Sequence, residues 1–129
     1  MADAPSEKKR ILVVEDDAAL SMALSVKLKE AGFEVFIASD GETGFRMAEE
    51  KRPDLILLDL ILPRKNGFKF MEEARSKIDL KNLPVVVLTN LESSYDIERA
   101  LTLGATAYLV KANYSLSEVA KKIIQIFAK

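Results

Sequence analysis

The chain has 129 residues, with 19 Lys and Arg against 20 Asp and Glu for a net charge of −1, and it has neither His nor Cys. That length suits one domain able to fold without disulfides or a structural metal, and the charge balance lacks the basic excess expected of direct nucleic-acid binding. Without His or Cys the chain cannot run Ser-His-Asp or Cys-His catalysis, build a Cys/His zinc site or carry a phosphohistidine; its reactive groups are carboxylate, Lys, Arg and Tyr, and any metal it holds would be a hard, oxygen-liganded cation.

The start, MADAPSEKKR, is polar and lacks the apolar stretch of a signal peptide. No run approaches the ~20 apolar residues of a membrane span. A cytoplasmic protein with no membrane insertion is therefore expected. Residues 1–9 read as a flexible arm and residues 10–129 as the folded domain. ILVV, Ile11 to Val14, is a first strand. Leu20, Ala23, Leu24, Leu28 and Ala31 keep helical spacing, and Gly32 is a stop. FEVFIA, Phe33 to Ala38, is a second strand. A short helix opens at SDGE, carries Phe45 and Ala48, and ends at Pro53. In DLILLDLILP, Leu55 to Leu58, Leu60 and Ile61 read as a buried run with Asp59 inside it. PRKNG, Pro63 to Gly67, is a loop. Phe68, Met71, Ala74 and Ile78 predict a third helix, and PVVVLT, Pro84 to Thr89, a fourth strand. Ile97, Ala100 and Leu101 give a helix stopped at Gly104. AYLV, Ala107 to Val110, is the fifth strand. Leu116, Val119, Ala120, Ile123, Ile124 and Phe127 predict the last helix. Five strands alternating with five helices, several of them continuous apolar runs, predict a doubly wound parallel α/β domain.

In such sheets, sites form at the carboxyl ends of the strands. Those ends carry Glu15, Asp16 and Asp17, then Asp59, then Thr89 and Asn90, then Lys111. Ser39 and Asp40, after the second strand, read as a turn. Asp17 reads equally well as a helix N-cap. Thr89 alone reads as an ordinary strand residue and Lys111 as a solvated loop lysine. Asp59 is harder to dismiss, because a carboxylate within an apolar run is costly unless something pairs with it. Clustered carboxylates repel, and a divalent ion relieves them. A Mg²⁺ site beside a lysine and a hydroxyl suits a transferring phosphoryl group, with a carboxylate as its nucleophile.

From about Lys9 to the end, the chain resembles the receiver domain of two-component response regulators, of the single-domain, chemotaxis-regulator-like kind. The resemblance rests on ILVVEDD, on the D-x-x-x-P spacing from Asp59 to Pro63, on Asn66-Gly67, on VVVLT ending at Thr89 and on GATAYLVK ending at Lys111. It implies a flavodoxin-like fold with strand order 2-1-3-4-5. It implies Asp59 as phosphoryl acceptor, and Asp16, Asp59 and the Ile61 backbone carbonyl as ligands of Mg²⁺ or Mn²⁺, with Glu15 acting through metal-bound water. Lys111, Thr89 and the Asn90 backbone N–H would bind the phosphoryl group. Thr89 and Tyr108 would form the switch, whereas Tyr108 read by itself is a half-buried strand aromatic with its hydroxyl in water. The implied donor is a sensor histidine kinase or a histidine phosphotransfer protein. The implied output is a changed affinity of the face made by helix four, strand five and helix five for a downstream protein.

The sequence departs from the family pattern in three places. Ala112 follows Lys111 where a cis proline is usual. A cis bond there would cost ~3 kcal/mol, so the loop either is rearranged or carries that strain. Asn90 replaces a smaller residue and crowds the path of Thr89. Ile61 and Leu91 replace polar residues near the attacking water, which predicts slow hydrolysis of a phosphate on Asp59. The alternatives are a phosphorylation-independent receiver-like binding module and a Mg²⁺-dependent aspartyl-phosphate phosphatase; the latter usually needs an Asp at the position of Ile61. A flavin or nucleotide binder lacks a G-x-G-x-x-G or Walker A pattern. The chain reads as a switch rather than an enzyme, either a single-domain regulator or a fragment of a longer protein.

Overall fold

In the computed structural model, which describes residues 8–128, the branched and aliphatic runs become five strands. They are β1 (Arg10–Val14), β2 (Glu34–Ala38), β3 (Leu55–Leu58), β4 (Val85–Thr89) and β5 (Ala107–Val110). The helices between them are α1 (Ala18–Glu30), α2 (Gly41–Lys51), α3 (Gly67–Ser76), α4 (Ser94–Thr102) and α5 (Leu116–Ala128). All strand pairs are parallel and the sheet order is β2-β1-β3-β4-β5, the flavodoxin-like doubly wound arrangement. The flexible arm falls mainly on residues 1–7, outside the described residues. Lys9 already pairs with the sheet, its carbonyl accepting from the Glu34 N–H at 2.9 Å.

Alternate residues of the central strands feed two separate cores, which is why these strands read as unbroken apolar runs. Leu12, Val14, Ile56, Leu58, Val85 and Val87 pack under α2, α3 and α4, with Phe45, Phe68, Phe70 and Met71. Ile11, Val13, Leu55, Leu57, Val86 and Leu88 pack under α1 and α5, with Leu24, Leu28, Val119 and Ile123. Side-chain caps fix all five helix starts, Ser115 accepting from the Glu118 N–H before α5. Asp17, Asp40, Asn66 and Ser93 accept from Leu20, Thr43, Lys69 and Asp96 N–H respectively.

The structure corrects several readings at element ends. The strand leaves the sheet after Leu58, so Ile61 is not buried but 52% exposed. α3 stops at Ser76, leaving Ile78 82% exposed beyond it. Leu101 and Ile124 face solvent, and α4 buries only Ala100. α1 turns Ser21 and Ser25 inward and Met22 and Val26 outward. Asp54 lies in the turn before β3 and grips β1 there: its Oδ2 accepts from the Arg10 N–H at 2.8 Å.

Arg75, at the end of α3, donates to five backbone carbonyls. Nε bonds Leu103 (3.0 Å), Nη1 bonds Leu80 (3.4 Å), Lys81 (3.2 Å) and Leu83 (2.9 Å), and Nη2 bonds Gly104 (3.0 Å). One guanidinium thus ties the loop before β4 to the carboxyl end of α4. An ammonium offers a single compact head to carbonyls spread over two segments. Arg75→Ala should therefore cost about 3 kcal/mol by urea denaturation, the price of several unpaired carbonyls, and Arg75→Lys should recover only part of it.

Candidate functional site

Strand register assembles the site. Val14 lies opposite Leu58, so the next residues, Glu15 and Asp59, emerge side by side, and the Asp59 N–H bonds the Val14 carbonyl at 3.0 Å. Thr89, opposite Val110, ends β4, and Lys111 follows directly on β5. Glu15 (3% exposed) and Asp59 (4%) are buried, while Asp16 is exposed. Carboxylate oxygens of these three acids lie within 4.8 Å of one another. The Lys111 Nζ stands between two of them, 2.8 Å from Asp59 Oδ2 and 2.9 Å from Glu15 Oε1. The remaining oxygens meet backbone donors, Ile61 N–H to Asp59 Oδ1 at 3.1 Å and Asp17 N–H to Glu15 Oε2 at 3.0 Å. Asp17 itself caps α1 and is not one of the three clustered acids.

Burial pushes the Glu15 carboxyl above its ordinary range, against the pull of the Lys111 ammonium and the Asp17 N–H. Burial works to lower the Lys111 ammonium, yet the hydrogen bonds and charges of Asp59 and Glu15 outweigh it and raise it. The cluster is an all-oxygen donor set of negative charge, the chemistry that a hard divalent cation takes.

Thr89 is fully buried, and its Oγ1 accepts from the Leu91 N–H at 3.5 Å. The Tyr108 hydroxyl donates to the Leu91 carbonyl at 2.8 Å. Tyr108 is thus half-buried as expected, but its hydroxyl is engaged rather than in water, and one residue, Leu91, bonds both Thr89 and Tyr108. Asn90, directly after the buried Thr89, is exposed. Among the described residues every peptide bond is trans, so the loop is rearranged: Lys111 to Asn113 form a single 3₁₀ turn.

Desolvation, with the charges of Asp96 and Asp59, pushes the Tyr108 phenol up to about 12. A folded value above the free phenol's ~10 means the associated stability is complete below that pH and is lost as pH rises through about 12. Titration of tyrosinate absorbance should show one phenol ionising near pH 12, a step that Tyr108→Phe removes.

The model of the response regulator receiver domain family matches residues 11–124. The chain is a response regulator receiver domain. It is 38% identical over 112 residues to the transcriptional regulatory protein PdtaR of Mycobacterium tuberculosis, covering 86% of this chain and 53% of that protein. The receiver thus spans about half the length of the curated relatives it matches. Its fold superposes on the Vibrio cholerae chemotaxis protein CheY4 with a TM-score of 0.86 at 28% identity, covering 93% of this chain and 99% of that one. It also superposes on the receiver domain of the sensor histidine kinase PA1611 of Pseudomonas aeruginosa PAO1, solved with a magnesium ion coordinated in its active site cleft. There the TM-score is 0.82 at 30% identity, covering 93% and 97% of the two chains. Among the described residues, no helix of the receiver is long and apolar enough to cross a membrane.

Proposed function

We propose that this receiver is a phosphorylation-dependent switch whose acceptor is Asp59. The supporting observation is the meeting of a buried acceptor carboxylate with Lys111, at 2.8 Å, inside a three-carboxylate cluster. Asp16, Asp59 and the Ile61 carbonyl would hold Mg²⁺ or Mn²⁺ directly, and Glu15 through a water. The bound ion would neutralise charge on the transferring phosphoryl oxygens.

The chain's own residues do the rest. The sheet end fixes Asp59, and its Oδ1 is oriented by the Ile61 N–H. Asp59 Oδ attacks phosphorus, the bond to the donor's imidazole nitrogen breaks, and an aspartyl phosphate forms. Lys111, already on Asp59 Oδ2, is placed to follow the new phosphoryl oxygens. The Thr89 hydroxyl and the Asn90 N–H supply further donors. The donor is a phosphohistidine on a kinase or phosphotransfer protein, a group this chain lacks.

Thr89 can turn toward the phosphoryl group only by leaving its bond to the Leu91 N–H. The carbonyl of the same residue, Leu91, holds the Tyr108 hydroxyl, so a change at Thr89 would reach Tyr108 and the α4–β5–α5 face, where a protein partner would read it. Transfer of label to the wild type but not to Asp59→Asn, followed by capture of partners with each state, tests this reading. Binding unaffected by Asp59→Asn, without label uptake by the wild type, would instead indicate a phosphorylation-independent module.

A further inference from the structure

The segment from Asp59 to Gly67 carries both the acceptor and the carbonyl that would face the metal. Its base is closed by the Gly67 N–H on the Leu60 carbonyl at 3.0 Å, and a Cβ on Gly67 would come within 2.5 Å of the Asp59 carbonyl oxygen. Its tip is held from outside the segment. The Gly41 N–H, first in α2, donates to the Pro63 carbonyl at 3.3 Å, and the Lys65 N–H donates to the same oxygen at 2.8 Å. A Cβ on Gly41 would collide with the Lys65 backbone carbonyl.

The Lys65 side chain lies 4.3 Å over the Phe45 ring of α2 and bonds Glu73 Oε1 of α3 at 2.5 Å. It is only 18% exposed, so this is an ion pair shielded from solvent on one side and a cation on an aromatic face on the other. Between these tethers Arg64 adopts φ 69°, a left-handed conformation that a non-glycine residue keeps only where its surroundings impose it.

We propose that Lys65 and Gly41 are positioning residues for the acceptor site: strapped to α2 and α3, the loop tip holds the Ile61 peptide in register with Asp59. The proposal rests on the metal-assisted reading above and concerns residues that do not themselves touch the reacting atoms. Partners that orient a ligand set are worth about tenfold or more in metal affinity.

The test is Mn²⁺ binding to the full chain, followed by the paramagnetic resonance of free Mn²⁺, in wild type, Lys65→Met, Lys65→Arg and Gly41→Ala. Amide hydrogen exchange at Ile61 is followed in parallel. Lys65→Met should weaken Mn²⁺ about tenfold and speed Ile61 exchange with global unfolding unchanged, and Lys65→Arg should restore most of both. Gly41→Ala should act the same way where it folds. Lys65→Met with wild-type affinity and wild-type Ile61 exchange overturns the proposal. Should the wild type not bind Mn²⁺, the metal-assisted reading falls. The brace is then decided by Ile61 exchange alone, faster in Lys65→Met supporting it and unchanged refuting it.

Discussion

Asp59→Asn should reduce phosphoryl uptake to background while leaving the fold intact. An amide oxygen is not a nucleophile of carboxylate strength, so the covalent step has no acceptor. The fold survives because the substitution removes only one of the two acids at Lys111. Glu15 remains 2.9 Å from the ammonium, and the apolar run around position 59 is untouched. The measurement is incorporation of label from a small phosphodonor such as acetyl phosphate with Mg²⁺, alongside a thermal melt. Wild type should label to a stable aspartyl phosphate. Asp59→Asn should not label, and its melting curve should stay close to wild type. Label persisting in Asp59→Asn would move the acceptor to another residue and overturn the assignment. The same two proteins then serve to capture partners, and a protein retained only by the labelled form is the expected product of that step.

A second large effect concerns how long the phosphate lasts. Hydrolysis requires a water aligned with phosphorus on the open side of Asp59. Ile61, two residues after Asp59, is half exposed and aliphatic, and Leu91, two residues after Thr89, is half-buried against the core under α2, α3 and α4; the family resemblance implies that both positions border the attacking water. Neither side chain can accept a proton from water or hold it by a hydrogen bond. Oriented polar groups contribute ~10²–10⁴ to such steps, so their absence predicts a long-lived phosphate. Ile61→Asn and Leu91→Glu should each shorten the lifetime by about tenfold or more, read from loss of label after the donor is removed. Ile61→Asn is the cleaner variant, since the exposed position tolerates a polar group. In Leu91→Glu the backbone bonds to Thr89 and Tyr108 are retained, but the side chain leaves an apolar contact. Unchanged lifetimes in both would show that water placement is not what sets the rate.

Much of this was readable before any coordinates. The strands announced themselves because both faces of the sheet are covered, so Ile11 to Val14 and Val85 to Leu88 are apolar throughout. The acids at their ends stood out against that background, and the parallel register then had no choice but to gather Glu15, Asp59 and Lys111. What escaped were features written in the backbone. Ile61 looked buried because the pattern could not show that the chain turns out after Leu58. Ile78 looked like another helical position because Lys77 carries no stop residue to mark the break. Arg75 sits in the charged run EEARSK and was indistinguishable from a solvated arginine, since all its partners are carbonyls. Gly41 likewise meets a main-chain atom far away in sequence, the Pro63 carbonyl, and Lys65 meets the Phe45 ring and the Glu73 carboxylate on two different helices. The expected crowding by Asn90 and the choice left open at Ala112 also turned on local geometry. The trans backbone and the 3₁₀ turn after β5 decide the second of these.

The lysine shared by Glu15 and Asp59 has one more implication. An acidic cavity assembled without a counter-charge would fold only when its ion was present, as small zinc modules do. Here the ammonium of Lys111 supplies that counter-charge to Glu15 and Asp59 from within the chain. On the proposed reading, an arriving cation would meet acids already partly neutralised and would enter by exchange, against an incumbent ammonium. Such a site would then trade tightness for ease of turnover as it fills and empties.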